Sequence, residues 1–250
     1  MVKIMEETKL HRSMSANSDV FTCSVDSGDS CLEQPMLDVS QPVLAWDWDD
    51  TLLCTSHLAR CGVAITAESS EISETLRMEL VDLARTVEQT LDLALSLGRV
   101  VIVTNAESGW VELTSLKFMP SIFEKYIRSY RIPIVSARSS FETPKCRCPV
   151  EWKRLAFEHL ISSSFLGEVH LVSFGDSNHE RQALKNTADK FSSLGNRLKS
   201  LKLIERPDVA ALMKQHVLIR QCLLQLVEHP GSLDLCIQPT AVHSHHCHAA

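Results

Sequence analysis

The sequence lacks any apolar run that approaches the roughly 20 residues needed to cross a bilayer. Its first residues, MVKIMEETKLHRS, also lack the apolar core of a secretory signal peptide. The nine cysteines are an odd number without a framework spacing, which favours free thiols in a reducing compartment over a disulfide scaffold. We therefore expect a cytoplasmic protein that has no membrane partner.

An excess of positive charge is missing as well, because the formal net charge is -6. The chain thus offers no overall cationic surface to attract the phosphate backbone of nucleic acid, and we do not expect a nucleic-acid partner. Cys146 and Cys148 form a C-x-C pair without a second pair at zinc-site spacing, which argues against a structural zinc ion. With 250 residues and 44% hydrophobic content, the chain is long enough for one full core.

The composition divides the chain into three parts. Residues 1–40 are rich in Ser and Asp with little apolar periodicity, so we expect a disordered leader. Residues 41–238 form the predicted folded domain, and residues 239–250 form a His-rich tail that we expect to be flexible. The folded part is thus a single domain between two tails.

Short apolar runs alternate with helical periodicity through residues 41–238, which is typical of a parallel sheet with crossover helices. The sequence predicts an α/β fold with a doubly wound, Rossmann-like sheet. Strands are predicted at about 43–46, 100–103, 132–135, 169–174 and 201–204. Helices are predicted at about 70–97, 110–126 with a break at Pro120, 150–161 and 207–227. A turn and a small hairpin are expected between Leu53 and Ser69.

Polar residues follow directly after three of these strands, namely Asp47, Thr104 and Asp176. Ligands bind beyond the carboxyl ends of strands in open parallel sheets, so these residues are the first candidates for a site. The first strand continues into Asp47, Asp49 and Thr51 in the order D-x-D-x-T. Because residues two apart in an extended chain point the same way, the two aspartates can address one phosphorus atom.

These residue types indicate phosphoryl transfer. The Asp47 carboxylate can attack phosphorus and form an acyl phosphate, and Asp49 can protonate the leaving oxygen and then deprotonate water. Crowded carboxylates need a cation, and hard oxygen ligands suit Mg²⁺. Asp176 would add a metal ligand after Gly175, which we expect to permit a tight turn, and Glu180 would orient that ligand.

Two further groups would stabilise the phosphoryl oxygens. Thr104 offers a hydroxyl and a backbone N–H, and Lys153, near the start of its helix, offers a positive charge. Lys145 and Arg154 are alternatives to Lys153. Trp46 and Trp48, which flank the first aspartate, are expected to lie in the core rather than to form a substrate platform.

The chain from about 43 to 204 resembles the haloacid dehalogenase superfamily. AWDWDDTL is similar to its first motif, VVIVTN to its second, Lys153 to its single third-motif lysine and GDSNHE to its fourth, with Glu180 in place of a final Asp. The resemblance implies Asp47 as nucleophile and Mg²⁺ ligand, Asp49 as acid and base with its backbone carbonyl on the metal, and Asp176 as a further ligand. It also implies that the first strand lies between the second and fourth. The short connections imply a member without a sizeable cap domain.

The expected function is therefore hydrolysis of a phosphate monoester through an aspartyl phosphate, with a phosphorylated protein or another macromolecule as a candidate substrate. A phosphomutase or phosphotransferase with the same chemistry is one alternative. A catalytically silent module that keeps this fold for binding is another.

Overall fold

The computed structural model describes residues 2–6, 41–65, 72–162, 169–191 and 196–239. Most of the predicted leader (residues 7–40) and most of the predicted tail (residues 240–250) lie outside the described residues, so those expectations stay predictions. Within the described ranges, no helix is both long and apolar enough to cross a bilayer.

One sheet of seven strands forms the centre of the described structure. The strands are β1 Val2–Glu6, β2 Val43–Trp46, β3 Arg99–Thr104, β4 Ile134–Ser136, β5 His170–Gly175, β6 Arg197–Lys202 and β7 Leu233–Pro239. Their order across the sheet is β1-β7-β6-β5-β2-β3-β4. Strands β2 to β7 are parallel, and β1 pairs antiparallel with β7. The predicted position of β2 between β3 and β5 is thus confirmed.

The helices of the described residues connect these strands. They are α1 Thr55–Arg60, α2 Glu74–Leu97, α3 Trp110–Phe118, α4 Pro120–Ile122, α5 Ala137–Phe141, α6 Pro149–Ser162, α7 Asn178–Phe191 and α8 Val209–Glu228, and a π-helical segment, Phe123–Ser129, follows α4. The break predicted at Pro120 is confirmed, because α3 ends at Phe118 and α4 begins at the proline.

Helices cover both faces of the sheet, because alternate residues of each buried strand face opposite layers. Leu44 and Trp46 of β2 belong to a core cluster that includes the buried residues of α2 and α8. Val43 and Ala45 of the same strand belong to a second cluster, which includes buried residues of α6 and α7. This arrangement is the doubly wound α/β architecture that the sequence predicts.

The structure corrects two of the expectations. The predicted leader is wrong at residues 2–6, which form the edge strand β1, and β7 extends the sheet to Pro239, inside the predicted tail. The predicted hairpin after Leu53 is also wrong, because α1 lies there. The Asp50 carboxylate accepts a hydrogen bond of 2.9 Å from the Ser56 amide, an N–H at the start of α1 that has no partner within the helix.

Candidate active site

The carboxyl ends of β2, β3 and β5 lie side by side at one edge of the sheet. Trp46 is in register with Phe174, so the next residue of each strand, Asp47 and Gly175, also lie next to each other. The Asp47 amide donates a hydrogen bond of 2.8 Å to the Phe174 carbonyl, which extends the pairing by one residue. This register places Asp47 beside the start of the Gly175-Asp176 turn.

A buried lysine lies between two carboxylates at this edge. The Lys153 ammonium, on α6, donates to Asp47 Oδ1 at 2.8 Å and to the Val103 carbonyl at 2.5 Å, and it lies 3.1 Å from Glu180 Oε1. These three acceptors match the three hydrogens of an ammonium group, which fixes the orientation of the Asp47 side chain. Lys153 therefore connects the end of β2, the end of β3 and the start of α7.

The two alternatives to Lys153 lie elsewhere. Lys145 is exposed in the loop before α6. Arg154 forms ion pairs with Glu151 and Glu158 of its own helix. Of the three candidate cations, the structure brings Lys153 to Asp47.

Three carboxylates form a group that could hold a metal ion. Asp47, Asp176 and Glu180 each offer an oxygen, and these oxygens lie within 4.8 Å of one another. All three residues are buried. From the sequence we expected Glu180 to orient a metal ligand from behind. In the structure its carboxylate lies beside those of Asp47 and Asp176, as a third member of the group.

Gly175 provides the space that Glu180 occupies. A Cβ atom built on Gly175 would lie 2.5 Å from Glu180 Cγ and 3.0 Å from Glu180 Cβ, which is closer than real atoms approach. Gly175 does not have a positive φ. A tight turn, which the sequence led us to expect, therefore does not explain why a glycine is found at this position. The requirement is room for the neighbouring carboxylate side chain.

The Asp49 carboxylate has a different partner from the other acids. Its Oδ1 accepts a hydrogen bond of 3.0 Å from the indole Nε1 of Trp110, the first residue of α3. The proposed contact of the Asp49 backbone carbonyl with a metal stays a prediction. The role of Trp110 was not predicted from the sequence. The signal was its position at the start of the helix that follows β3, which places it near the carboxyl edge of the sheet.

Thr104 lies at the end of β3, as predicted, and is buried. Its hydroxyl oxygen accepts a hydrogen bond of 3.0 Å from the Ala106 amide, which leaves the hydroxyl hydrogen available as a donor. Asn105 and Ala106 line the pocket in front of the carboxylates. Thr104 thus shapes the loop that borders the site, and its contact with a phosphoryl oxygen stays a prediction.

Burial and mutual repulsion perturb the acids of the site. Burial raises the pKa of Asp176 to about 7, and the nearby charges of Glu180 and Asp50 add to this shift. Burial also raises the pKa of Asp47 and of Asp49, although Lys153 opposes the effect on Asp47. For Glu180, burial acts in the same direction, but the attraction of Lys153 and the hydrogen bonds from Ser177, from the backbone and from Lys153 together lower the pKa. Three buried carboxylates thus share one ammonium, and burial resists the ionisation of two of them, Asp47 and Asp176.

A buried histidine supports the loop that carries the two aspartates. His216 of α8 has its Nε2 2.9 Å from the Thr51 carbonyl and its Nδ1 3.1 Å from the Thr90 hydroxyl. Burial lowers the pKa of His216 to about 4, so the ring is neutral at pH 7. Because a carbonyl only accepts, Nε2 carries the proton and donates a hydrogen bond to the Thr51 carbonyl. Sequence analysis missed this contact, which joins residues far apart in the chain.

The two tryptophans that flank Asp47 are core residues, as predicted. Trp46 and Trp48 are both fully buried. The Trp46 ring stacks on Phe174 with centroids 4.0 Å apart, and the Trp48 indole donates to the Thr114 hydroxyl at 2.9 Å. Both side chains pack in the core cluster that includes α2 and α8, and they hold the loop against that face of the sheet.

A pocket of about 790 Å³ opens in front of the carboxylates. Asp47, Asp49 and Asp176 line one end of it, and α1, the residues after α1 and α3 line the other. His179 also lines the pocket and is exposed. The site is thus a cavity with walls rather than an open edge of the sheet.

Comparison of the chain with family models, with curated proteins and with solved structures gives no match. The functional argument therefore depends on the residues and their geometry.

Proposed function

We propose that the chain is a phosphomonoester hydrolase of the haloacid dehalogenase type, without a sizeable cap domain, in which Asp47 attacks phosphorus. The observation that supports this most directly is the group of three carboxylates around Lys153 at the carboxyl edge of the sheet. Carboxylates from two neighbouring strands, beside a buried ammonium, suit a phosphoryl group and an accompanying cation. The substrate is a phosphate ester, and a phosphorylated protein or another macromolecule is the first candidate.

The donor set fits a hard divalent cation, and we propose Mg²⁺. All the side-chain donors are carboxylate oxygens, which are the ligands that Mg²⁺ prefers. Asp47 and Asp176 would hold the ion together with the backbone carbonyl of Asp49, and Glu180 lies beside them. When bound, Mg²⁺ supplies the positive charge that keeps these carboxylates ionised and offsets the charge of the phosphate.

The first chemical step uses Asp47 and Asp49. Lys153 holds Asp47 Oδ1, so Oδ2 forms the bond to phosphorus while the bond between phosphorus and the leaving oxygen breaks. Asp49 gives its proton to that oxygen. The raised pKa of Asp49, due first to burial, suits a group that must be protonated before this step. The Trp110 indole and the Thr55 side chain hydrogen-bond to the Asp49 side chain and hold it in place.

The second step reverses the role of Asp49. Its carboxylate takes a proton from water, the water oxygen attacks phosphorus, and the bond to Asp47 breaks to release inorganic phosphate. If a hydroxyl group replaced water, the same steps would make a phosphotransferase or a phosphomutase. The hydrolase is the simpler case, because water enters an open pocket without a dedicated binding site.

The test is turnover of 4-nitrophenyl phosphate by wild type and by Asp47→Asn, in Mg²⁺ and in EDTA. An amide cannot act as the attacking carboxylate, so we expect the variant to lose at least about 10³-fold in kcat. Asp82→Asn is the matched control, since Asp82 is an exposed surface acid on α2. Activity of Asp47→Asn within about tenfold of wild type would exclude Asp47 as the nucleophile.

The same assay distinguishes the alternatives. Folded wild-type protein that shows no Mg²⁺-dependent turnover would support the silent binding module. Release of nitrophenol in excess of inorganic phosphate, in the presence of an added alcohol, would support the phosphotransferase.

A further inference from the structure

The pocket in front of the carboxylates has two chemically different ends. The carboxylates of Asp47, Asp49 and Asp176 lie at one end. The part of the lining that comes from α1, the residues after it and α3 is mainly apolar, although Thr55, Ser56 and Thr114 also belong to it. Its apolar members, which we call the apolar wall, are Leu58, Ala59, Val63, Ile65, Trp110 and Phe118. The mechanism proposed above uses the acidic end and, of the apolar wall, only the Trp110 indole.

Hydrogen bonds from the site hold this wall in place. Asp50, next to Asp49, fixes the start of α1 through the Ser56 amide. Lys117 of α3 donates to the carbonyl of Ala64 at 3.1 Å and also to that of Ile65. The residues after α1 are therefore tied to α3, and the wall is built before any ligand enters.

The charges along the pocket exclude a second anionic group. Among the described lining residues, the basic side chains are Arg138 and His179. The Arg138 guanidinium lies 2.8 Å from Glu142 and 3.4 Å from Glu107, so its charge is already compensated. A nucleotide or a sugar bisphosphate would bring further negative charge into a pocket that is mainly acidic.

Polar groups beside the apolar wall are also engaged. The Thr114 hydroxyl, which lines the pocket, accepts from the Trp48 indole at 2.9 Å and donates to the Trp110 carbonyl at 2.7 Å. Against the apolar members of the wall, the hydroxyls of a sugar would lose hydration without a partner, which is unfavourable.

We propose that the apolar wall binds the leaving group of the ester, and that the substrates are phosphate monoesters of apolar alcohols or phenols. This inference rests on the proposed function, because the bond that breaks must lie between the acidic end and the wall. The leaving oxygen takes the Asp49 proton, and the product is a neutral apolar alcohol or phenol. Contacts with the wall that persist in the transition state raise kcat/KM.

The experiment is a series of 4-alkylphenyl phosphates in which the acidity of the leaving phenol stays nearly constant: phenyl, 4-ethylphenyl and 4-butylphenyl phosphate. A fully buried methylene corresponds to about a fourfold gain. We expect kcat/KM of the wild type to rise at least about twofold per methylene, which corresponds to half of the free energy of a fully buried methylene. A parallel series of n-alkyl phosphates from ethyl to octyl distinguishes the two sources of an apolar group. A rise of kcat/KM in both series supports a wall that binds alkyl and aryl leaving groups alike. A rise in the aryl series alone supports phenols as the leaving groups.

Val63→Ser is the variant that tests the wall, since Val63 is half-buried and lines the pocket. Val217→Ser is its matched control, because Val217 is an exposed valine on α8 outside the pocket lining. We expect Val63→Ser to flatten the alkyl series, and Val217→Ser to keep the wild-type slope and to leave turnover of phenyl phosphate within about twofold of wild type. Ile65→Ser provides a second variant if Val63→Ser does not fold, and the same flattening is expected.

Two outcomes separate this inference from the proposed function. Mg²⁺-dependent turnover with a flat alkyl series, or with sugar phosphates preferred, would overturn the apolar wall and leave the Asp47 mechanism intact. No turnover of any ester by folded wild type would instead overturn the proposed function itself.

Discussion

Replacement of Lys153 by methionine would remove a buried charge while it keeps most of the side-chain volume. Asp47 and Glu180 would then remain buried without their shared cation. Removal of one partner from a buried ion pair costs about 3–5 kcal/mol. A domain of this size loses about 2–4 °C in Tm per kcal/mol, so the Tm in EDTA should fall by about 6–20 °C.

A loss of stability alone would not show that Lys153 belongs to the chemistry, so Lys199→Met is the matched control. Lys199 of β6 is also fully buried, and its ammonium donates to the carbonyls of Leu226, Val227 and His229 at 2.6–2.8 Å. It binds neutral acceptors at the end of α8, away from the pocket. We expect Lys199→Met to lower the Tm as well, because buried carbonyls lose their donor, but to leave turnover near the wild-type value.

The assay combines thermal unfolding, in EDTA and in Mg²⁺, with kcat/KM measured well below the Tm of each variant. Lys153→Met should lose about 10²–10³-fold in turnover, the usual effect of a missing electrostatic contact to a reacting group. Mg²⁺ should raise its Tm by more than it raises that of wild type, because the ion replaces the missing charge. The reasoning is refuted if Lys153→Met unfolds at the wild-type temperature, or if Mg²⁺ shifts the two methionine variants equally.

Two further predictions concern a proposed metal ligand and a structural ion pair. Mg²⁺ should raise the Tm of wild type but not of Asp176→Asn; equal shifts, measured by differential scanning fluorimetry, would remove Asp176 from the metal site. Asp234 of β7 is buried between Arg181 and Lys185, at 2.7 Å and 2.6 Å, and although burial opposes it, their attraction lowers the Asp234 pKa. Its stabilisation is therefore full above the ordinary aspartate pKa of about 4 and is lost as pH falls through the lowered value. Asp234→Asn should cost about 3 kcal/mol in urea unfolding at pH 7 and progressively less in acid, and a cost that does not vary with pH would contradict this.

The central strands and the ends that carry Asp47 and Asp176 could be predicted from the sequence. Strands buried on both faces appear as short runs of apolar residues, as in β2, β3 and β5. In a parallel sheet, the residue that follows each run must lie at the carboxyl edge. Burial and strand direction are local properties of the sequence, so these predictions required no knowledge of distant contacts.

The contacts that complete the site could not be predicted in this way. The bond from Trp110 to Asp49 and that from His216 to Thr51 join residues 61 and 165 positions apart. Such contacts depend on how helices pack on the sheet, which periodicity does not specify. The place of Glu180 among the carboxylates depends in the same way on Gly175, whose missing side chain becomes significant only when α7 is in position.

The pairing of the edge strand β1 also depends on a contact between distant residues, and it affects the order in which the sheet assembles. Its pairing cannot be inferred from five residues alone, because the partner strand β7 lies at the other end of the chain. On the ribosome, residues 2–6 are synthesised long before their partner β7, residues 233–239. At about 5–20 residues per second, the first strand waits roughly 10–50 s for its partner. Closure of this edge therefore waits for β7, and a nascent chain stalled before residue 233 holds an unpaired first strand however complete the site at the other sheet positions has become.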